Sequence, residues 1–372
     1  MKRVLVSLVA LVALLGQLGA VEIYKDGDKS FGVFGVAKAL LGYGFNNGNA
    51  GTHQGEFLAG IQGNSRIGIN FKVGNLFGVA LIGLGESTLY GDGGNTGFRH
   101  LYAGYDFGDA GKLTAGKKGL VTSIGGFVST IFNGDTGLKG YGGRSETRRL
   151  QIEYAVAGIS FAISENDFGG GGSNTKRGYE VPRFSLGYEY NDSSIRAKVV
   201  ASYAHKRVST TSGGVTDNTK NAVYIGAGVR PVFGDSYMSI LLGYGYNAEK
   251  INELSIATPI LNEGFQNITI SKAARKSTDT NLAAIALEYG VNLTNDFAVK
   301  IGGGYQYAKA KNENLNTHSY SAFVQLPYKV GGGFSIIPEV SYVGTTTAPL
   351  VKKAKTDNVG NVLAAVQVSL AF

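Results

Sequence analysis

The amino-acid sequence predicts an all-β fold, a 16-stranded antiparallel β-barrel that crosses a membrane. Apolar and polar residues alternate with a period of two along segments spread over the whole chain, as in strands with one apolar face. Short and long connections alternate between these segments, which places the two kinds on opposite rims of a barrel. Glycine (57 residues) and tyrosine (21) are abundant and cysteine is absent, a composition typical of strands and tight turns.

The composition excludes several classes of protein. Hydrophobic residues make up 43% of the chain and charged residues 17%, so this is not a disordered chain of low hydrophobicity. A mean hydropathy close to zero excludes a bundle of membrane-spanning helices. The absence of cysteine excludes a disulfide scaffold, thiolate metal sites and cysteine nucleophiles.

Residues 1–20 are expected to be a signal peptide that is removed from the mature chain. Residues 1–3 are basic at Lys2 and Arg3, residues 4–15 are apolar, and Ala20 supplies a small residue at the cleavage point. The apolar run is too short for a membrane span of about 20 residues, although a signal anchor is the alternative. Residues 21–372 then form a single transmembrane β-barrel domain.

The segment 66–73 shows the alternation most plainly. Every second residue is apolar, and these residues share one face of a strand: Ile67, Ile69, Phe71 and Val73. The residues between them are charged, polar or glycine, and they share the other face: Arg66, Gly68, Asn70 and Lys72. Soluble sheets also alternate, so this pattern alone does not distinguish a soluble sheet from a membrane barrel.

Sixteen such segments are predicted, an even number as bacterial single-chain membrane barrels require. They begin near Phe31, Arg66, Phe77, Arg99, Lys112, Arg149, Ile159, Arg183, Ile195, Ala222, Met238, Leu282, Phe297, Ser319, Phe334 and Val359. Short turns are predicted at 74–75, 108–111, 157–158, 191–193, 231–235, 292–296 and 330–333. Long polar loops are predicted near 46–64, 86–97, 119–147, 165–181, 206–220, 247–279, 308–317 and 344–357. This segregation of loop lengths favours a membrane barrel over a soluble sandwich.

The last predicted strand ends on an apolar face at the chain terminus. Its residues are Val362, Ala364, Val366, Val368, Leu370 and Phe372. Here the chain resembles the general diffusion porins of Gram-negative outer membranes, a family of trimeric 16-stranded barrels. In that family a C-terminal phenylalanine on such a strand is read by the barrel-assembly machinery, so the resemblance implies this role for Phe372.

The resemblance extends over residues 22–372 and rests on short motifs in the family's order. Residues 22–27 (EIYKDG) look like the mature start, and residues 65–68 (SRIG) look like the second strand. Residues 102–117 look like the fourth strand, its turn and the fifth strand. The resemblance implies a multi-pass protein of the outer membrane, surrounded by outer-membrane lipid, with periplasmic turns and extracellular loops. It further implies a homotrimer and a water-filled channel for passive diffusion of small hydrophilic solutes and ions.

The loop at 119–147 is expected to fold inward and narrow the channel, because it begins with the apolar stretch 120–128. In porins this loop forms the constriction and ends in a Pro-Glu-Phe-Gly-Gly motif. Its last three positions are matched by Tyr141, Gly142 and Gly143, which Arg144 follows, whereas Lys139 and Gly140 stand where proline and glutamate would be. Asp135 and Glu146 are the candidate counter-charges, unless Glu146 belongs to the barrel rim.

Porins carry a ladder of basic residues opposite this loop. Lys38, Arg66 and Arg149 fit the ladder by motif and by the alternation. Arg99 fits by motif only, because strict alternation would turn it toward lipid at a cost of roughly 2–4 kcal/mol near the midplane. Arg99 would face the lumen if the strand is bulged or if Tyr102 is the outward residue, and the lumen is the favoured orientation.

The alternation predicts a weak preference for anions. Eight bases are placed inward: Lys38, Arg66, Lys72, Arg149, Arg183, Arg196, Lys198 and Lys300. Four acids are placed inward: Glu153, Glu189, Glu288 and Glu339. Inward glycines at Gly68, Gly187, Gly226, Gly228, Gly243 and Gly245 are interpreted as open space in the lumen. A substrate-specific porin, selective for a sugar or an anion, is the alternative, and a barrel enzyme or an adhesin is less favoured.

A passive channel needs no catalytic residue and no cofactor, and none is predicted. The four histidines lack metal-ligand spacing, so no metal site is predicted. Residues 111–118 nearly match a phosphate-binding loop, but Lys118 replaces the final serine or threonine and the segment lies in a predicted strand. The basic residues are dispersed over inward faces and form no patch, so nucleic acid is not an expected partner.

Overall fold

The computed structural model describes residues 21–47, 53–84, 97–124, 126–128, 130–131, 148–166, 177–210, 216–248, 279–310, 316–347 and 357–372. The predicted signal peptide, residues 1–20, lies outside these ranges. In the described residues, no helix is long and apolar enough to cross a membrane. A short 3-10 helix spans Gly108–Ala110. The strands are β1 (Val21–Asp26), β2 (Lys29–Asn47), β3 (His53–Ile61), β4 (Arg66–Val73), β5 (Leu76–Gly83), β6 (Gly97–Asp106), β7 (Lys112–Gly119), β8 (Arg148–Val156), β9 (Ile159–Ser164), β10 (Arg177–Asn191), β11 (Ile195–Thr210), β12 (Thr216–Phe233), β13 (Ser236–Tyr246), β14 (Thr280–Asn292), β15 (Ala298–Ala310), β16 (Asn316–Gln325), β17 (Tyr328–Gly331), β18 (Phe334–Thr347) and β19 (Asp357–Ala371).

The strands pair antiparallel in one continuous sheet, and β19 pairs with β2 to close the sheet into a barrel. They occupy sixteen positions around the barrel, because three positions each hold two strands. Strands β3 and β4 both pair with β2, and β16 and β17 both pair with β18. Strand β1 continues the position of β19 along β2. The predicted 16-stranded antiparallel β-barrel is therefore confirmed.

The two ends of the described chain meet on β2. Val21 at the start of β1 pairs with Val33, and Ala371 at the end of β19 pairs with Val36. Between these pairs, the backbone N–H of Gly35 donates to the carbonyl of Phe372 at 2.7 Å, and the N–H of Phe372 donates to the carbonyl of Gly35 at 3.0 Å. The terminal residue is thus a member of the hydrogen-bonded wall.

The barrel has an apolar outer face and an inner face that carries most of its buried polar residues. On β14, Ile285, Leu287 and Tyr289 are 38–47% exposed on the outside, whereas Ala286 and Glu288 are about 1% exposed on the inside. Exposed aromatic rings lie near both rims: Tyr188 and Tyr190 near the short turns, and Tyr43, Tyr244 and Tyr305 near the opposite rim. An outward apolar band between aromatic girdles, with every strand paired, is the arrangement that a membrane requires of a barrel.

The prediction of a loop at 46–64 was wrong over most of its length. Strand β3 (His53–Ile61) occupies it, with Phe57, Ala59 and Ile61 exposed on the outer face. The error arose because residues 62–65 interrupt the alternation. These four residues are buried, and they separate β3 from β4, so the second barrel strand appears in the sequence to begin at Arg66.

Tight turns connect the strands at one rim. Ala157 (φ 49°) and Gly158 (φ 81°) are both left-handed, as a two-residue type I′ hairpin requires. After β10, the Asp192 carboxylate accepts hydrogen bonds from the Tyr190 hydroxyl (2.6 Å) and from the N–H groups of Ser194 (2.7 Å) and Ile195 (2.8 Å). These donors hold the pKa of Asp192 well below its ordinary value, the Tyr190 hydroxyl being the largest cause.

Candidate functional site

The lumen contains a segment that follows β7, here called the lumen segment (residues 120–124, 126–128 and 130–131). Six apolar side chains of this segment are at most 6% exposed: Leu120, Val121, Ile124, Phe127, Val128 and Ile131. Ile124, Phe127 and Val128 form one cluster with inward-facing apolar residues of β11 to β18. These wall residues are Val200, Tyr224, Leu241, Leu282, Ala284, Ala286, Ala308, Phe323 and Val343. The segment therefore covers one side of the inner wall.

Glycines of the inner wall provide the surface on which this segment lies. A Cβ atom at Gly187 would come 2.8 Å from Val121, and one at Gly226 would come 2.7 Å from Ile124. A Cβ atom at Gly228 would come 2.7 Å from the ring of Phe127. The interpretation of these inward glycines as open space was wrong at these three positions, because the absent side chains make room for the lumen segment.

The apolar inner wall was not predicted from the sequence. The inward face was expected to be polar, whereas β13 and β14 carry apolar residues on both faces, for example Leu241 inside and Leu242 outside. A strand that is apolar on both faces indicates that something packs against each of them. That signal was present in residues 236–246 and 280–292.

The far end of the lumen segment is held by polar side chains. The N–H of Ile131 donates to Glu339 Oε2 at 2.8 Å, and Gln62 Nε2 donates to the carbonyl of Ile131 at 2.5 Å. Gln367 Nε2 in turn donates to Gln62 Oε1. Glu339 lies on β18 and Gln367 on β19, so the segment extends from the wall near β10 to the side of the barrel where the chain ends meet.

Phe127 is held between two arginines of the inner wall. Arg230 Nη2 donates to the carbonyl of Phe127 at 2.5 Å, and the Arg196 guanidinium lies 4.8 Å from the centre of the Phe127 ring. Arg230 also lies 3.5 Å from the Glu288 carboxylate, which accepts the Tyr237 hydroxyl at 2.7 Å. Arg230 was not predicted as a wall residue, although it has the same parity on β12 as the inward Gly226 and Gly228.

The four predicted ladder residues all face inward. Lys38 lies across from Ser369, and Arg66 lies between Val36 and Gly83. Arg149 lies directly opposite Lys118 on β7, a base that was not among the predicted wall residues. Lys118 Nζ forms an ion pair with Glu153 at 2.9 Å. Beyond the ladder, Arg183 on β10 is fully buried.

Arg99 reaches the lumen through a bulge. Leu81 pairs with His100 and Ile82 pairs with Phe98, so Arg99 is an extra residue in β6. The bulge leaves Phe98 exposed on the outer face, and Arg99, 7% exposed, donates from Nη1 to the carbonyl of Gly63. Gly63 belongs to the buried junction 62–65, which also supplies Gln62 to the lumen segment.

The remaining candidates in the loop 119–147 lie outside the described residues. They are Asp135, Lys139, Tyr141, Gly142, Gly143, Arg144 and Glu146. Among the residues that the structure describes, no group of three or more histidines or acids is placed to hold a metal ion.

Comparison with known proteins shows similarity of fold. No protein-family model and no curated protein matches the chain. The outer membrane channel DcaP of Acinetobacter baumannii is similar with a TM-score of 0.65 and 13% identity, over 95% of this chain and 100% of that chain. An anion-selective porin from Comamonas acidovorans is similar with a TM-score of 0.57 and 15% identity, over 92% of this chain and 100% of that chain. The trimer form of OmpT from Vibrio cholerae is similar with a TM-score of 0.57 and 14% identity, over 92% of this chain and 99% of that chain. The resemblance to porins is confirmed at the level of the fold.

Proposed function

We propose that this chain is an outer-membrane porin, a water-filled channel through which small hydrophilic solutes and ions diffuse passively. A 16-stranded barrel is too wide for the side chains of its own wall to fill. The observation that carries the proposal is the lumen segment, which packs on the apolar wall of β11 to β18, while β4, β6 and β8 carry the inward residues Arg66, Arg99 and Arg149. A lumen that is narrowed by such a segment and lined by charged groups is suited to passing hydrated solutes.

The charge of the inner wall supports a preference for anions. Away from the rims, the described inward bases are Lys38, Arg66, Lys72, Arg99, Lys118, Arg149, Arg183, Arg196, Lys198, Arg230 and Lys300. The inward acids are Glu153, Glu189, Glu288 and Glu339. A wall of one sign concentrates the opposite ion in a low-dielectric passage, and salt screens this effect over about 8 Å at physiological strength. The preference for anions is therefore weak.

The proposal includes a homotrimer. An apolar groove on the outer wall is lined by residues from the first and last strands, among them Leu41, Tyr43, Phe57, Val340 and Ala364. Small residues form its floor beside exposed large ones, which is a shape that the wall of a second copy can fill. A similar fold is known in a trimer form. We propose that the groove receives the neighbouring subunit.

Liposome swelling tests the channel directly. Proteoliposomes that contain the purified, heat-modifiable barrel are diluted into isotonic sugars of increasing size. The proposal predicts fast swelling in small sugars and a graded decline with molecular size, without saturation. Swelling that saturates with one sugar would instead identify a substrate-specific porin, and no swelling with any sugar would refute the proposal.

A further inference from the structure

The lumen segment is joined to the wall by two kinds of contact. Its apolar side chains pack on the wall, and such packing has little directional preference. Its backbone is bonded at two points to charged side chains of other strands: at Phe127 by Arg230, and at Ile131 by Glu339. These hydrogen bonds fix two points of the backbone along the wall, in addition to the close packing of the side chains.

Glu339 is the most strongly constrained of these groups. Its side chain is 2% exposed, and it accepts hydrogen bonds from the N–H of Ile131, from Gln325 Nε2 (2.5 Å) and from the Ser341 hydroxyl. A carboxylate with three donors has a fixed position, and charge-assisted bonds are stronger than neutral ones. The group that holds Ile131 is therefore itself immobile.

The other polar group of Ile131 is also satisfied. Its carbonyl accepts a hydrogen bond from Gln62 Nε2, and Gln62 Oε1 accepts one from Gln367 Nε2. Both backbone groups of one residue are thus bonded to side chains from distant parts of the wall, 69 and 208 residues away in sequence. The segment is therefore held at both Phe127 and Ile131, and it cannot shift without breaking one of these bonds.

We propose that Glu339 is the positioning residue of the lumen segment and that it keeps the channel at one steady width. The proposal rests on the proposed channel function and adds a specific role for a wall acid within it. Loss of the carboxylate removes, in a buried site, the acceptor of the Ile131 N–H and of the Ser341 hydroxyl, and the end of the segment then detaches intermittently.

Thiol labelling measures the detachment without reference to conduction. Because the chain has no cysteine, Ile131→Cys introduces a single thiol at a position that is 1% exposed. We expect slow reaction with a membrane-impermeant methanethiosulfonate in this variant, and a rate at least tenfold faster when Glu339→Ala is added. Val128→Cys, at a 3% exposed position, repeats the measurement without altering Ile131.

Two further variants make the test specific. Glu339→Gln keeps one oxygen for the Ile131 N–H and is expected to give an intermediate labelling rate; it also replaces Glu339→Ala if that variant does not insert. The matched control is Glu165→Gln, which removes an exposed carboxylate that likewise accepts a backbone N–H, that of Leu150 at 3.2 Å. When Glu165→Gln is added to Ile131→Cys, the thiol should react as slowly as in Ile131→Cys alone.

Planar-bilayer recordings give the functional readout. Wild type is expected to show steady open currents, and Glu339→Ala is expected to show added current levels and a several-fold rise in open-channel noise. Unchanged labelling rates and unchanged noise in a folded Glu339→Ala barrel would overturn the proposal. If wild type does not conduct at all, the channel proposal fails, but the labelling experiment still decides the role of Glu339.

Discussion

The ring of Phe127 lies so close to Gly228 that a Cβ atom on that glycine would come 2.7 Å from it. The two residues belong to parts of the chain that are far apart in sequence, the segment after β7 and the middle of β12. Their contact shows that the wall and the lumen segment fit one another at the level of single atoms. The position of the segment is consequently sensitive to small changes in the wall.

Gly228→Val should displace the lumen segment. The added side chain has no room beside Phe127, and overpacking of this kind costs about 1–3 kcal/mol. We expect a lower temperature for the heat-induced shift from folded to unfolded barrel on gels, together with an altered conductance. Gly97→Ala is the control, because a Cβ atom there meets nothing within 4 Å. Equal unfolding temperatures and equal conductances of the two variants would contradict the close packing of Phe127 on Gly228.

Arg66→Gln combined with Arg149→Gln should shift ion selectivity toward cations. Both side chains face the lumen, and their removal reduces the positive excess of the wall. Asp135→Asn should shift selectivity in the opposite direction. Lys117→Gln is the control, since Lys117 is exposed on the outer face and opposite Leu101. Reversal potentials across a KCl gradient measure the shift, and no difference from the control would count against the charge argument.

Deletion of Phe372 should leave export intact and greatly reduce insertion. The residue completes the apolar face of β19, and its backbone is bonded to Gly35 in both directions. We expect the protein to accumulate without its heat-modifiable form, whereas Phe372→Tyr, which keeps the ring, should insert. A normal surface level of heat-modifiable barrel in the deletion strain would show that this terminus is not the assembly signal.

Asp192→Asn should destabilise the barrel in a pH-dependent manner. The folded state lowers the pKa of this carboxyl, so its contribution is present above the unfolded value of about 4 and is lost as the pH falls through the lowered value. At neutral pH the variant should therefore unfold at a lower temperature than wild type, and the difference should disappear in strong acid. Tyr190→Phe removes the largest cause of the lowered pKa and should reproduce part of the loss. A difference that is independent of pH would refute this assignment.

Ala364→Arg should dissociate the trimer. Ala364 lines the outer groove, where an arginine would occupy the space proposed for the neighbouring subunit. Light scattering in mild detergent should report a trimer for wild type and a monomer for the variant. Leu150→Arg is the control, because it places the same charge on an exposed position of β8, away from the groove. A monomeric wild type would refute the homotrimer.

Much of the barrel was predictable because strand faces are encoded by neighbours in sequence. Ile67, Ile69 and Phe71 alternate with polar residues, and β4 lies where that alternation predicts it. Strand β3 was missed because the buried junction 62–65 interrupts the pattern. The local pattern alone does not reveal β3, because these four buried residues separate it from β4.

The interior was less predictable because its contacts join distant parts of the chain. The inward orientation of Arg99 follows from a bulge opposite Leu81 and Ile82, which the alternation suggested as one solution but did not establish. The roles of Gly228 and Glu339 depend on Phe127 and Ile131, and nothing near either residue in sequence identifies that partner. A glycine on the inner wall is compatible with open space in the lumen and with close packing of another segment. At Gly228 the position of Phe127 shows that close packing applies.

The central claim is that the barrel encloses a water-filled passage with a positive wall. Single-channel recording in planar bilayers under a KCl gradient tests it most directly. The account predicts stepwise, long-lived openings that require the heat-modifiable barrel and a small reversal potential of the sign that anion preference produces. Absence of conductance steps from correctly folded protein would contradict the channel, and a clear cation preference would contradict the assignment of a positive wall.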